Sequence, residues 1–142
     1  MTRHLLAIDD VEDDFEMILK WAVEFKRLWK EGDDVAVNFM PLDTLAVGSI
    51  YEKPSTRTRV SFEVGINRLG GYPLTLLKND IQLGKSETVG DTSQVLSRFL
   101  GAMTYRCFSH DDVTELAKYA DVPVLNALSD KHHPCQAAAD LM

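Results

Sequence analysis

Glu52-Lys53-Pro54-Ser55-Thr56-Arg57-Thr58-Arg59 follows an apolar run, Leu45 to Tyr51, that reads as a buried strand. It opens a second run, Val60 to Leu69, that reads as a helix stopping at Gly70-Gly71. A strand that turns through Pro-Ser-Thr into a helix aims free backbone N–H groups, and the positive end of the helix dipole, at one spot. Three hydroxyls and two guanidiniums crowd the same turn. Arginine forks match the oxygens of phosphate or carboxylate, and hydroxyls fill the remaining acceptor directions. These residues point to an oxyanion site, for phosphate first. A plain helix N-cap is the alternative, since Ser and Thr are common there. The arginines weigh against it, because the dipole disfavours cations at that end.

Outward from this turn, the pattern alternates strand and helix. Phe15, Ile18, Leu19, Ala22, Phe25 and Trp29 recur at helical spacing after the acidic start Asp13-Asp14, with Gly32 as a stop; this helix is expected to cover one side of a sheet. The alternating piece Val35 to Met40 is a candidate edge strand. In the helix after the turn, Val60, Phe62, Val64, Ile66 and Leu69 are expected to supply apolar contacts, and Gly65 a close approach to the sheet. Tyr72–Leu77, Met103–Phe108 and Val122–Leu128 are further strands. Lys78 to Gly90 reads as a long exposed loop, a length that is often functional. Helices are expected from Thr92 to Leu100, from a capping box at Asp111-Asp112-Val113-Thr114-Glu115 through Tyr119, and from Pro134 onward. The implied fold is α/β: a parallel sheet of about four strands with right-handed crossovers, flanked by helices on both faces.

Composition sets the bounds. At 142 residues the chain is one domain by size. No apolar run approaches the ~20 residues that span a membrane, and the start lacks the hydrophobic region of a signal peptide. Cys107 and Cys135 form no disulfide framework and sit at no metal-ligand spacing, so a reducing cytoplasm is the default. The net charge of −7 argues against nucleic acid as a partner. Residues 1–34 carry ten of the 22 acids, whereas 51–106 carry eight bases against five acids, so the middle of the chain can still attract a small anion.

Ser55-Thr56-Arg57-Thr58-Arg59 after a strand resembles the carbamoyl phosphate signature of the aspartate/ornithine transcarbamoylase family. His133-Pro134-Cys135-Gln136 fits the same family, and Asp80-Ile81-Gln82-Leu83-Gly84-Lys85-Ser86-Glu87-Thr88 is similar to its ornithine branch. The match runs from about Arg3 to Met142. It implies the first of two similar domains: a carbamoyl phosphate-binding domain over 1–133, then the start of an interdomain helix over 134–142, with the second, amino-acid-binding domain absent from this chain. The implied reaction is transfer of a carbamoyl group from carbamoyl phosphate to ornithine in arginine metabolism. Aspartate or putrescine as acceptor is the runner-up, and a non-catalytic anion-binding or assembly module is the reading from another class. The isolated chain is expected to bind without turnover.

The resemblance assigns Ser55, Thr56 and Arg57 to the phosphate, and Thr58, Arg106 and His133 to the carbonyl oxygen, with Arg106 matching an arginine that also meets the phosphate and with Arg106 and His133 as the catalytic pair. Gln136 would bind the carbamoyl amide. Gln82, with Lys85 as a weaker candidate, would reach a neighbouring subunit's site, which implies a homotrimer with shared sites. Each has an alternative. Arg57 and Arg59 could be helix charges paired with Glu63 or Glu52, and Arg59 a structural brace. Arg106 lies in an apolar strand, where burial of an unpaired guanidinium is costly, so it should meet a ligand anion or an internal acid. His133, Gln136, Gln82 and Lys85 could be ordinary loop or helix-start residues. Cys135 reads as filler, because no His/Asp pair stands to activate it. No metal or cofactor motif is present, and the chemistry asks for none.

Overall fold

The computed structural model describes residues 2–34 and 38–142. A 3-10 segment, Ile8–Asp14, leads into α1 (Phe15–Glu31). Then follow β1 (Ala46–Tyr51), α2 (Arg57–Arg68), β2 (Tyr72–Leu77), α3 (Val89–Leu96), β3 (Ala102–Arg106), α4 (His110–Tyr119), β4 (Val124–Leu128) and α5 (Pro134–Asp140). The strands form one sheet in the order β2-β1-β3-β4, and every neighbouring pair is parallel. The α/β reading therefore holds.

The chain moves outward from β1 to β2, then returns past β1 to β3. Right-handed crossovers put α2 on one face and α3 with α4 on the other. α2 is fixed over β2 by Thr75 Oγ1, which donates to Glu63 at 2.5 Å. On the opposite face the buried Ser93 hydroxyl of α3 donates to the Leu116 carbonyl of α4 at 2.7 Å. Ile50, Met103, Tyr105, Val113, Leu116 and Val124 are fully buried in the core cluster. Gly48 of β1 lets Leu100 pack close on the sheet, since a Cβ there would lie 2.4 Å from Leu100 Cδ1 and push that side chain aside.

The sheet edges differ. β4 is lined by the N-terminal segment: Leu5 N–H donates to Val124 O at 2.9 Å, and Asn126 N–H donates to Leu5 O at 2.8 Å. β2 lies at the other edge and carries Pro73, which has no N–H to offer.

Several expectations need correction. α1 ends as read, with Gly32 left-handed at φ 70°, but none of its residues is buried, so it does not seal a sheet face. Its Met17 and Ile18 border a groove beside Val124 and Leu125, and Trp29 lies under the Arg68 guanidinium. α2 turns Ile66 inward and leaves Val60 and Val64 exposed, while a Cβ on Gly65 would touch nothing. Two residues spaced by four share a helical face, and here that face is the outer one. α3 begins at Val89 because the Thr88 side chain caps it, accepting from Asp91 N–H at 3.0 Å. The cap of α4 is Ser109, not a box at Asp111. β3 stops at Arg106, and the loop over 78–90 is pinned rather than wholly exposed, since Leu83 is buried in the core. Within the candidate edge strand Val35 to Met40, positions 35–37 lie outside the described residues.

Candidate functional site

The carboxyl ends of β1, β3 and β4 open into one cleft of about 590 Å³. It lies where the strand order reverses, the place where open parallel sheets hold ligands. Ser55, Thr56, Arg57 and Thr58 line it from the turn after β1, Arg106 from the last position of β3, Leu128 from the end of β4, and His133 and Gln136 from the start of α5. Seven of the eight residues picked from the sequence are thus brought together.

Gln82 is not among them. It is exposed in the loop between β2 and α3, where its Oε1 accepts from Ser86 Oγ at 3.2 Å, and Lys85 Nζ donates to the Asn79 carbonyl at 3.0 Å.

Thr56 occupies the N-cap position of α2 yet makes no capping hydrogen bond through its side chain. Thr56 therefore does not act as a side-chain cap, and the first-turn N–H groups keep their pull on an anion. Arg59 does act as a brace, with Nε 2.9 Å from Glu63 Oε1. Arg57 joins no ion pair among the described residues and lines the cleft.

Arg106 has no ion pair with an acid among the described residues. Its Nη1 donates to Thr58 Oγ1 at 3.3 Å, while Nε is buried without a partner. His133 Nδ1 is buried and unpartnered as well. Burial, then the nearby Arg106 cation, pull the His133 pKa below its ordinary 6.5, so its imidazole is neutral at pH 7. Five side-chain atoms are buried without a partner among the described residues, and these two share the cleft, where a polar guest would satisfy them. Gln136 Nε2 donates to Asp140 at 2.7 Å, which leaves its Oε1 as an acceptor. The Cys135 thiol lines the same wall, but burial raises its pKa, and its Sγ only approaches the Asn126 carbonyl at 3.8 Å.

From the sequence, Glu52 is a candidate partner for arginines only. In the structure its carboxylate takes Lys78 Nζ at 2.6 Å, Tyr105 OH at 2.9 Å and Phe108 N–H at 2.8 Å, tying the ends of β1, β2 and β3 together beneath the anion turn. Tyr105 is 53 positions away, a contact no local pattern reports.

Residues 3–142 match the family model described as aspartate/ornithine carbamoyltransferase, carbamoyl-P binding domain. The chain belongs to that family. It is 46% identical over 138 residues to an ornithine carbamoyltransferase of Anoxybacillus flavithermus, covering 97% of this chain and 43% of that protein. It is 47% identical over 141 residues to one from Methanopyrus kandleri, covering 98% of this chain and 44% of that protein. Among solved structures, the ornithine carbamoyltransferase from Pyrococcus furiosus superposes with a TM-score of 0.91 at 46% identity, over 98% of this chain and 44% of that one. A mitochondrial ornithine carbamoyltransferase from Coccidioides immitis gives 0.92 at 37% identity, over 99% and 45%. The chain thus spans less than half the length of these relatives. No helix among the described residues is long and apolar enough to cross a membrane.

Proposed function

We propose that this chain is the carbamoyl phosphate half of an ornithine carbamoyltransferase. The observation that carries the reading is the pairing, in one cleft, of an uncapped helix N-terminus with two buried, unpartnered side-chain nitrogens. The first suits a phosphate dianion, and the second suits a carbonyl oxygen that gains charge.

In this reading Ser55, Thr56, Arg57 and the α2 N-terminus hold the phosphate. Arg106, His133 and Thr58 donate to the carbonyl oxygen, and Gln136 Oε1 accepts from the carbamoyl NH₂. The neutral amine of ornithine attacks the carbamoyl carbon, forming the new C–N bond and placing negative charge on the carbonyl oxygen. Collapse of that intermediate breaks the C–O bond to phosphate, which leaves with the electron pair and takes up the proton that the amine nitrogen gives up. Donors fixed where charge develops are worth about 2.7–4 kcal/mol each in comparable oxyanion holes. An alkylamine has a pKa of roughly 10.4, so the rate is expected to rise with pH.

The contacts to ornithine belong to the second, amino-acid-binding domain, which would follow the interdomain helix that starts at 134. Residues 1–133 then supply the carbamoyl phosphate domain, and the isolated chain binds without turning over. Gln82 is assigned to the cleft of a neighbouring copy in a homotrimer, a reading supported by its position outside the cleft of its own chain. The free thiols of Cys107 and Cys135 fit a cytoplasmic enzyme, and arginine metabolism is the assigned setting.

Titration calorimetry with carbamoyl phosphate tests the half-site. Loss of a charge-assisted contact in Arg57→Ala is expected to weaken binding by about 10- to 100-fold. Unchanged affinity would count against the site. Supplying the two-domain polypeptide with carbamoyl phosphate and ornithine, aspartate or putrescine identifies the acceptor by its product.

A further inference from the structure

His133 has no hydrogen-bond partner for its buried Nδ1, so no hydrogen bond at that nitrogen fixes the ring. Its place is inherited from the backbone before and after it. Behind it stands the buried Pro134, the first residue of α5. Ahead of it the chain is knotted to a single side chain.

That side chain is Asn126, fully buried in β4. Its Oδ1 accepts from Leu128 N–H at 3.0 Å. Its two Nδ2 hydrogens serve three acceptors, Leu6 O at 2.9 Å and Ser129 Oγ and His132 O at 3.1 Å each, so one hydrogen is shared. Ser129 Oγ closes the loop from the other side, accepting from His132 N–H at 3.2 Å. The carboxamide thus bonds both ends of the 129–132 loop directly ahead of His133.

The same residue sits at an irregularity. Tyr105 pairs with Asn126, but the next β3 residue, Arg106, pairs with Leu128, which leaves Ala127 as an extra residue. Bulges of this kind re-aim side chains next to functional sites. Leu128, just past it, has φ of 151°, in a region that non-glycine residues rarely adopt. Strain there persists only if its surroundings enforce it, and the Oδ1 bond to Leu128 N–H is such a constraint.

We propose that Asn126 is the positioning residue that sets Leu128 and the loop bearing His133 against the cleft, so that the end facing the carbamoyl group depends on its carboxamide bonds. The phosphate end, built on the turn after β1, does not depend on them. This inference rests on the carbamoyl phosphate reading above and assigns Asn126 no contact with substrate.

The test compares two ligands, carbamoyl phosphate and inorganic phosphate, by calorimetry on the wild type and Asn126→Ala. Carbamoyl phosphate affinity is expected to fall about tenfold, the scale of one or two lost buried hydrogen bonds, while phosphate affinity changes less than about twofold. A residue that only stabilises the fold would lower the melting temperature and leave the ratio of affinities unchanged, and that result overturns the proposal. Should Asn126→Ala fail to fold, Ser129→Ala removes the relay between Nδ2 and the His132 amide. It is expected to shift the ratio in the same direction by about threefold, and an unchanged ratio overturns the proposal equally. Wild-type protein that binds both ligands alike, or neither, would overturn the carbamoyl phosphate reading and this inference with it. A preference kept in both variants sinks this inference alone.

Discussion

Glu52→Gln removes one charge from the join between three strands and changes little else in shape. The carboxylate side chain is 2% exposed and serves three donors on three segments. Burial alone would raise its pKa, but the bonds from Lys78, Phe108 and Tyr105 outweigh that and hold it below the ordinary carboxylate range. An amide keeps one acceptor oxygen and introduces an NH₂, so either the Phe108 N–H or the Lys78 ammonium then faces another donor. A hydrogen bond to a charged group contributes about 1.5–3 kcal/mol. The Lys78 side chain is 40% exposed, so solvent screens that pair and the buried bonds set the cost. We expect a loss of about 2 kcal/mol. For a chain of this length that is roughly 6–8 °C in melting temperature, read by circular dichroism at pH 7. The pH dependence has a definite sign. Because the folded pKa lies below the unfolded value of 4.5, the contribution is full above 4.5 and fades as pH falls through the folded pKa. Wild type and variant should therefore converge in acid. A loss under about 2 °C at pH 7, or a gap that widens on acidification, would refute the role assigned to this carboxylate.

Two other outcomes follow from buried charges and imidazoles. Arg106→Met replaces a guanidinium whose Nε is buried unpartnered, so the ligand-free protein should melt about 2–4 °C higher while carbamoyl phosphate binding is lost. A variant that binds normally would contradict the role proposed for Arg106. His4, His110 and His133 all have pKa values lowered from 6.5, with burial the leading cause in each. The unfolded chain then binds more protons below 6.5, so the urea midpoint should be lower at pH 5.5 than at pH 7.5. An equal or higher midpoint in acid would show that these imidazoles are not buried as described.

What the sequence disclosed and what it withheld divide along chain distance. The strand β2, the strand–turn–helix around Ser55, the Gly32 stop and Pro134 at the start of α5 rest on periodicity and turn chemistry within a few residues. Ser55 to Thr58, His133 and Gln136 are legible from short motifs at strand ends, and Arg106 from a lone charge within an apolar strand. On α2 the sequence offers apolar residues on adjoining sides, and only packing decides that Ile66 turns inward while Val60 and Val64 stay exposed. The Glu52 join and the Asn126 knot escaped for another reason. Tyr105 lies 53 positions from Glu52, and Leu6 lies 120 from Asn126, so only the folded sheet brings them together. A buried asparagine within an apolar strand was the one available signal for the second, because a lone polar side chain there must be satisfied.

The strip of backbone around Leu5 that runs along β4 has a consequence for handling the protein. It occupies the hydrogen-bonding groups on that rim, just as Pro73 blunts the opposite one. Proteolytic clipping near residue 7 would bare a ready template for strand-by-strand recruitment of further copies. Light scattering that stays flat after such clipping would show that the rim is guarded by something else.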